Sequence, residues 1–342
     1  MNSLNSILIV RTDRIGDVVL SLPLAWLLKK HIPKVRVSFL VRDYTAPLVR
    51  NCKYVDEVIV LSEKNGKAQI AENVNALKHK FDACIAAFPT YPIALILFLS
   101  GINTRIGSGY RWYSFLFNKK VYEHRKYGER HELEYNVRML QQLNINEDVN
   151  PANVDFGIVV DNSVREIALN KLRSLGWDGN QKIVIVHPGS GGSALVLPKE
   201  KLRLLIESVA SKEIVVFVIT GSAAEEELCK SFNVNEKVIN TAGMFNLGEL
   251  TALISKAEIL IANSTGPIHL AAALGKSVIG FYPKFAAVSP KRWGPYSANA
   301  KIFQPTICDG NCSRDKCNKL NCMYSIEIKN VLASLDELLH RN

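Results

Sequence analysis

ILIANSTGPIHLAAALG, residues 259–275, passes from a short apolar run into an apolar helix through Ser264, Thr265, Gly266 and Pro267. The run at 258–262 reads as a buried strand, and residues 270–274, closed by Gly275, read as a helix. Proline suits the first helical turn because the N–H it lacks has no helical partner there. The N–H groups around it point outward, and the helix start adds about half a unit of positive charge, an arrangement that suits a pyrophosphate. Taken alone, the same residues also fit a plain N-cap at Ser264 or Thr265.

Outward from this segment the rhythm repeats. Apolar runs at 7–10, 35–41, 58–61 and 83–87 alternate with helical patterns at 20–30 and 131–143. Further runs follow at 183–187, 214–220, 237–240 and 277–282. Alternation of this kind predicts parallel βαβ units. Between 144 and 161 the pattern fades into Asn, Asp and Pro, which reads as a linker. The expected fold class is therefore α/β, with two doubly wound parallel sheets facing each other across a cleft. The domains are expected at 1–155 and 156–325, with 326–342 as a C-terminal segment. Ligands in such folds bind beyond the carboxyl ends of the strands, so the first loop of each half is where chemistry is expected.

Composition narrows the function classes. The 342 residues are 48% hydrophobic and 22% charged, which fits a globular chain and excludes a disordered one. The longest apolar stretch, 92–99, is far short of the roughly 20 residues a membrane helix needs. The apolar run at 6–10 has no basic leader before it and reads as a first strand, not an export signal. The seven cysteines are then expected in a reducing, cytoplasmic setting. The net charge of +10 calls for an acidic partner: nucleic acid, anionic lipid or a phosphorylated substrate. It concentrates in 105–131, where Arg105, Arg111, Lys119, Lys120, Arg125, Lys126 and Arg130 face only Glu123 and Glu129. A solvated basic face fits the same stretch.

Two more loops carry candidate chemistry. After 183–187 comes HPGSGGS, residues 187–193, whose glycines match the spacing of a dinucleotide fingerprint. A nicotinamide-dependent oxidoreductase is therefore a rival reading. Against it, Pro198 would fall inside the fingerprint helix at a cost of about 3 kcal/mol, and the next strand ends without the ribose-binding acid. A Gly/Ser loop holding phosphate on its backbone, with the helix beginning at Pro198, fits better. After 7–10 comes RTDRIGD, residues 11–17, where Gly16 permits a tight turn and Asp17 stands at a helix start. Asp17 could take a proton from a hydroxyl; equally, Asp13 or Asp17 could cap the helix with Arg11 or Arg14 as ion-pair partner.

Together and in this order, RTDRIGD, HPGSGGS, Gly221 with Glu225, and NSTGPIHLAAALG (263–275) resemble glycosyltransferase family 9, the bacterial heptosyltransferases of the lipopolysaccharide inner core. The resemblance covers nearly the whole chain. It implies a GT-B fold with an acceptor-binding N-terminal domain, a donor-binding C-terminal one and a last helix inside 326–342 that crosses back to the first, and inverting transfer without a metal. By matching position, Asp17 is the implied general base. The implied donor contacts are Ser190, Gly191, Gly192 and Ser193 with the diphosphate, Glu225 with ribose, and the region around Met244 with adenine. Ser264, Thr265, Gly266, Pro267 and His269 would hold pyrophosphate and sugar.

The implied partners are an ADP-activated sugar, an anionic lipopolysaccharide-core acceptor met by Arg14, Arg105 and Arg111, and the inner-membrane surface, not nucleic acid. No cofactor is required. Two positions depart from the family pattern: Leu195 stands where many members have a phosphate-pairing lysine, for which Arg14, Lys199 or Lys201 might substitute, and Ser264 where several have aspartate. Alternatives that stay open are another nucleotide sugar or acceptor, and a non-catalytic binding protein.

Cys308, Cys312, Cys317 and Cys322 lie within fifteen residues and could close a structural zinc or iron site. The paired C-x2-C knuckles of common zinc sites are absent, so reduced or redox-labile thiols are the competing expectation.

Overall fold

The computed structural model describes residues 4–192, 194–210, 214–308 and 314–340. The chain forms two compact units, Met1–Arg125 with Glu132–Val159, and Lys126–His131 with Val160–Asn342.

The first unit holds β1 (Ser6–Val10), β2 (Arg36–Val41), β3 (Glu57–Val60), a two-residue hairpin β4 (Glu63–Lys64) and β5 (Lys67–Ala68), β6 (Ala83–Ala86), β7 (Thr104–Ser108) and β8 (Lys119–Val121). The second holds β9 (Lys182–His187), β10 (Val215–Ile219), β11 (Val238–Asn240), β12 (Ile259–Asn263), β13 (Ser277–Phe281) and β14 (Ala300–Phe303). The main sheets run β3-β2-β1-β6-β7-β8 and β11-β10-β9-β12-β13-β14, and every pairing in them is parallel. Each is the doubly wound order in which the chain reverses direction beside the first strand. The reversal falls between β1 and β6 in one unit and between β9 and β12 in the other. Loops leaving those strands therefore open onto a crevice.

The central strands are near-continuous Ile, Leu and Val because helices cover both faces; Ile7 to Val10, Ile183 to Val186 and Ile259 to Ile261 are buried. Five short strands escaped the sequence reading: the hairpin of β4 and β5, and β7, β8 and β14. β7 and β8 are polar or charged at most positions and β14 spans only four residues, and a charged edge such as Lys119–Val121 also protects an open sheet margin.

The helix expected over 20–30 is in fact two, Ile15–Val19 and Pro23–His31. Pro23 cannot continue the ladder and instead starts the second helix near its N1 position. The helix expected over 131–143 is α-helical only over Glu132–Arg138 and tightens to a 3-10 turn over Met139–Leu143. The last helix, Ile328–His340, packs against the helix Lys199–Ala210 and buries Val331, Leu335 and Leu339 in the second unit's core. Among the described residues no helix is long and apolar enough to cross a membrane.

Candidate active site

In the second unit, β9 and β12 are neighbours, so the loop 188–198 and the turn 264–267 rise side by side. Asn263, buried at the end of β12, joins them. Its Nδ2 donates to Pro188 O at 2.9 Å and its Oδ1 accepts from Leu197 N at 2.8 Å, closing the glycine-rich loop at both ends. The loop is held as a unit while its tip stays open: Gly191 and Gly192 are exposed with φ of 50° and 73°. The next helix begins only at Lys199, eleven residues past the end of the strand motif's His187 and Pro188, so the dinucleotide fingerprint is not realised.

Glu225 reaches this loop from the end of β10. Its Oε2 accepts from Ser222 N and Oγ in a capping box, and its Oε1 accepts from Gly191 N at 3.4 Å. Partial burial works against its charge, but the hydrogen bonds from Ser222 outweigh this and hold the carboxyl below its ordinary range. A Cβ on Gly189 would lie 1.9 Å from Glu225 Oε1, so only glycine leaves room. Gly189→Ala is expected to expel Glu225 and weaken donor binding about tenfold or more, read by titration calorimetry; unchanged affinity would remove Glu225 from the site.

At the turn, Thr265 occupies the N-cap position of the helix Gly266–Ala273, yet its side chain makes no capping bond and donates instead to Asn263 O at 3.2 Å. The plain N-cap alternative is therefore not what the structure shows for Thr265. The first-turn N–H groups keep their capacity for an anion. Behind them His269 is buried, and its Nδ1 has no hydrogen-bond partner among the described residues. Burial, with His131 nearby, lowers its pKa to about 3, so the ring is neutral. His187 is also held low by burial, against the opposing field of Glu225, and its Nδ1 lies 3.0 Å from Thr220 Oγ1.

The sign for stability follows. Unfolded His269 takes a proton below its ordinary value of 6.5, whereas the folded ring resists until about 3. Its contribution is intact above that window and declines as pH falls through it, by about 1.4 kcal/mol per pH unit. Urea melts from neutral to acid pH should show this slope reduced in His269→Asn; an identical slope would refute the assignment.

In the first unit the loop after β1 is organised by Arg11, which is 2% exposed. Its Nε donates to Asp13 Oδ1 at 2.8 Å and its Nη2 to Asp17 Oδ1 at 2.5 Å. Nη1 lies 3.6 Å from Glu132 and donates to Asn136 Oδ1 at 3.3 Å. Burial opposes the guanidinium's charge, but Asp13, Asp17 and Glu132 together raise its pKa. The sequence alternative of Arg11 pairing with Asp13 or Asp17 is thus realised for both. Arg14 is exposed at the N-cap position of Ile15–Val19 and takes no part in the pairing. Burial pushes the Asp13 carboxyl up to about 6 even though Arg11 pulls it down, because Asp17 shares the same guanidinium. Asp17 itself is partly exposed and holds Arg11 through one oxygen.

Other expected residues fall as follows. Ser190 and Ser264 are half-buried on the two adjacent loops, and Pro267 is buried in the helix start. Met244 is 43% exposed in the loop after β11, where its carbonyl lies 3.4 Å from Lys171 Nζ. Arg105 spends its donors on Leu116 O and Ile102 O and lies over the Phe98 ring, so much of its charge is used in holding its own loop. Arg111 is exposed. Ser193 and Cys312 lie outside the described residues. Leu195 is buried and offers no charge. Of its proposed substitutes in this unit, Lys201 binds Ile326 O at 2.7 Å and covers Tyr324, away from the loop.

Sequence reasoning missed two residues. Asn263 was visible only as part of a motif, and Arg314 not at all, yet Arg314 Nη2 donates to Gly192 O at 2.8 Å and brings a cation to the glycine-rich loop. A contact spanning 122 residues leaves no local signal.

Two Rossmann-type units with their polar loops gathered at the switch points define the fold of a GT-B glycosyltransferase, and solved structures agree. A family 9 glycosyltransferase from Veillonella parvula superposes with a TM-score of 0.84 at 20% identity, covering 98% of each chain. The Escherichia coli ADP-heptose lps heptosyltransferase II superposes at 0.79, with 20% identity and 98% of each chain covered. A Haemophilus influenzae protein whose provisional name is glycosyltransferase, with no sugar attached, is 31% identical over 308 residues, 85% of this chain and 86% of the relative. Residues 71–323 match the model of glycosyltransferase family 9 (heptosyltransferase), and the chain belongs to that family.

Proposed function

We propose that this glycosyltransferase moves a heptose from an ADP-activated donor onto the anionic inner core of lipopolysaccharide, with inversion at the anomeric carbon. The observation that carries the donor half is the pairing of two anion-ready loops at the switch point of the second unit, tied by Asn263. In this reading ADP lies with its diphosphate on the backbone of Ser190 to Gly192 and on the Thr265–Gly266 helix start, its ribose on Glu225, its adenine near Met244, and the sugar toward Ser264 and His269. Family membership and the ADP-heptose named for the Escherichia coli relative support the same donor.

Asp17 takes the proton from the acceptor hydroxyl as its oxygen forms the bond to the anomeric carbon, and the bond to ADP breaks with its electron pair leaving on phosphate. The leaving diphosphate is stabilised by backbone N–H groups and the helix start, a fixed polar environment of the kind that lowers such barriers. This chemistry needs no metal in the reacting centre.

Arg314 fills the gap left by Leu195. Removing its charge-assisted hydrogen bond should cost about 1.5–3 kcal/mol, roughly ten- to a hundredfold in donor affinity. Arg314→Ala is expected to show that loss in ADP titrations, and Arg314→Lys to recover part of it; equal affinity in all three would return the role to another cation.

The acceptor half rests on the first unit. The helix Tyr91–Leu99 is apolar on every side yet leaves Tyr91, Phe98 and Leu99 exposed. Trp112 is 73% exposed and stacks on Tyr91 at 4.9 Å, with exposed Arg111 and Phe115 in the same segment between β7 and β8 and exposed Lys119 at the start of β8. Apolar rings beside cations suit a lipid-linked, anionic acceptor at the inner-membrane surface.

The test is a transfer assay with purified protein, lipopolysaccharide-core acceptors and a panel of ADP-, GDP- and UDP-sugars. ADP-heptose should be the preferred donor. Turnover of another nucleotide sugar would favour the second reading that Ser264, in place of an acid, points to. Binding of NAD, or of no donor at millimolar concentration, would overturn the assignment.

A further inference from the structure

We infer that Cys308, Cys317 and Cys322 form a site for a thiophilic transition-metal ion, zinc or iron, bound as thiolates. Their sulfur atoms all lie within 4.8 Å of one another, and all three residues are buried. A tetrahedral ion with metal–sulfur bonds of about 2.3 Å sets its ligands about 3.8 Å apart, so three sulfurs already this close need only a small contraction. They come from three different places: the loop after β14, the helix Arg314–Lys319, and the 3-10 turn Cys322–Ser325.

The other buried cysteines among the described residues, Cys52, Cys84 and Cys229, belong to no such group of sulfurs. A disulfide uses two sulfurs and leaves the third unexplained, whereas an ion uses all three.

The surrounding segment has the build of a metal-stapled loop. Its ends are tied where Thr306 N donates to Ser325 Oγ at 2.9 Å and Thr306 Oγ1 to Ser325 O at 3.1 Å, closing a loop of 19 residues. The helix inside it, Arg314–Lys319, is only six residues long, too short to persist on its own propensity. Cys317 anchors that helix at the site. Its first residue is Arg314, which holds Gly192 O, so the ion also fixes the cation of the glycine-rich loop. That last consequence rests on the donor reading above; the metal site does not.

Each thiol releases its proton to solvent as its sulfur–metal bond forms, so binding strengthens with pH. The full chain, purified reduced and without chelator, should carry about one ion per chain by mass spectrometry. Visible thiolate absorption identifies iron, and its absence with one equivalent of metal identifies zinc. After stripping, added Co²⁺ should give a sulfur-to-cobalt charge-transfer band and intense tetrahedral ligand-field bands. The charge-transfer band should weaken in both Cys317→Ser and Cys322→Ser while each variant keeps the parent's far-ultraviolet circular dichroism and a cooperative melt.

The cobalt titration of the unaltered chain needs no variant to fold. No isolated metal together with no charge-transfer band would overturn the site, as would a disulfide among the three cysteines under reducing conditions or a band undiminished in both variants.

Discussion

Replacing Asp17 with Asn should cut glycosyl transfer by about 10²–10⁴-fold while leaving binding of the sugar donor within a small factor of the parent. The amide keeps the side chain's shape and can still present oxygen to Arg11 Nη2, so the loop after β1 should survive; what it loses is the capacity to accept a proton. Initial rates at saturating donor, alongside donor affinity by calorimetry, separate the two effects. The informative companion is Asp13→Asn. Asp13 shares the same guanidinium, and burial pushes its carboxyl up to about 6, so it too is a candidate base. If Asp13→Asn abolishes transfer and Asp17→Asn does not, the roles are reversed.

Arg11→Met is expected to be the most destabilising single change. The side chain is buried, and its charge is what allows Asp13, Asp17 and Glu132 to be packed together. Methionine fills most of the volume but leaves those carboxylates without their common cation; Glu132 alone keeps a second partner, Arg125. Breaking a buried pair from one side costs about 3–5 kcal/mol, which for a unit of this size lowers its melting temperature by about 6–20 °C. Tryptophan fluorescence and calorimetric melts would register it, with the first unit unfolding early. A shift of a degree or two would mean the carboxylates simply protonate, and that Arg11 is not the keystone of the loop.

Much of this architecture was readable from residues. Long runs of Ile, Leu and Val flanked by Gly, Pro and Ser mark strands buried on both faces, and every central strand of both sheets was found that way. The misses share a cause. β8 and β14 are short edge strands that answer to a single neighbour, and β7, paired on both sides, is polar at three of its five positions, so the apolar run in each is short or broken. Pro23 was read inside a helix because apolar spacing continues through it, although its missing N–H restarts the helix there.

The site was legible in proportion to its locality. Gly191, Gly192, Thr265 and Gly266 announce backbone geometry in their own sequence. The grip of Glu225 on the loop at Gly189, the double bond of Asn263 and the reach of Arg314 to Gly192 are made between segments far apart in the chain, and only folding reveals them.

The six residues Lys126–His131 belong with the second unit although the residues on either side belong with the first. His131 lies 2.8 Å from Gly294 O and packs its ring on Tyr296 at 4.7 Å. No single cut therefore divides the chain cleanly. A fragment ending near residue 159 would carry His131 away from its neighbours, and the remainder would lack a piece of itself. The same holds for inheritance: exchanging halves with a relative through one crossover would mismatch this stitch, so chimaeras that exchange the first unit and keep the second should be built with three junctions, taking 126–131 together with the second unit.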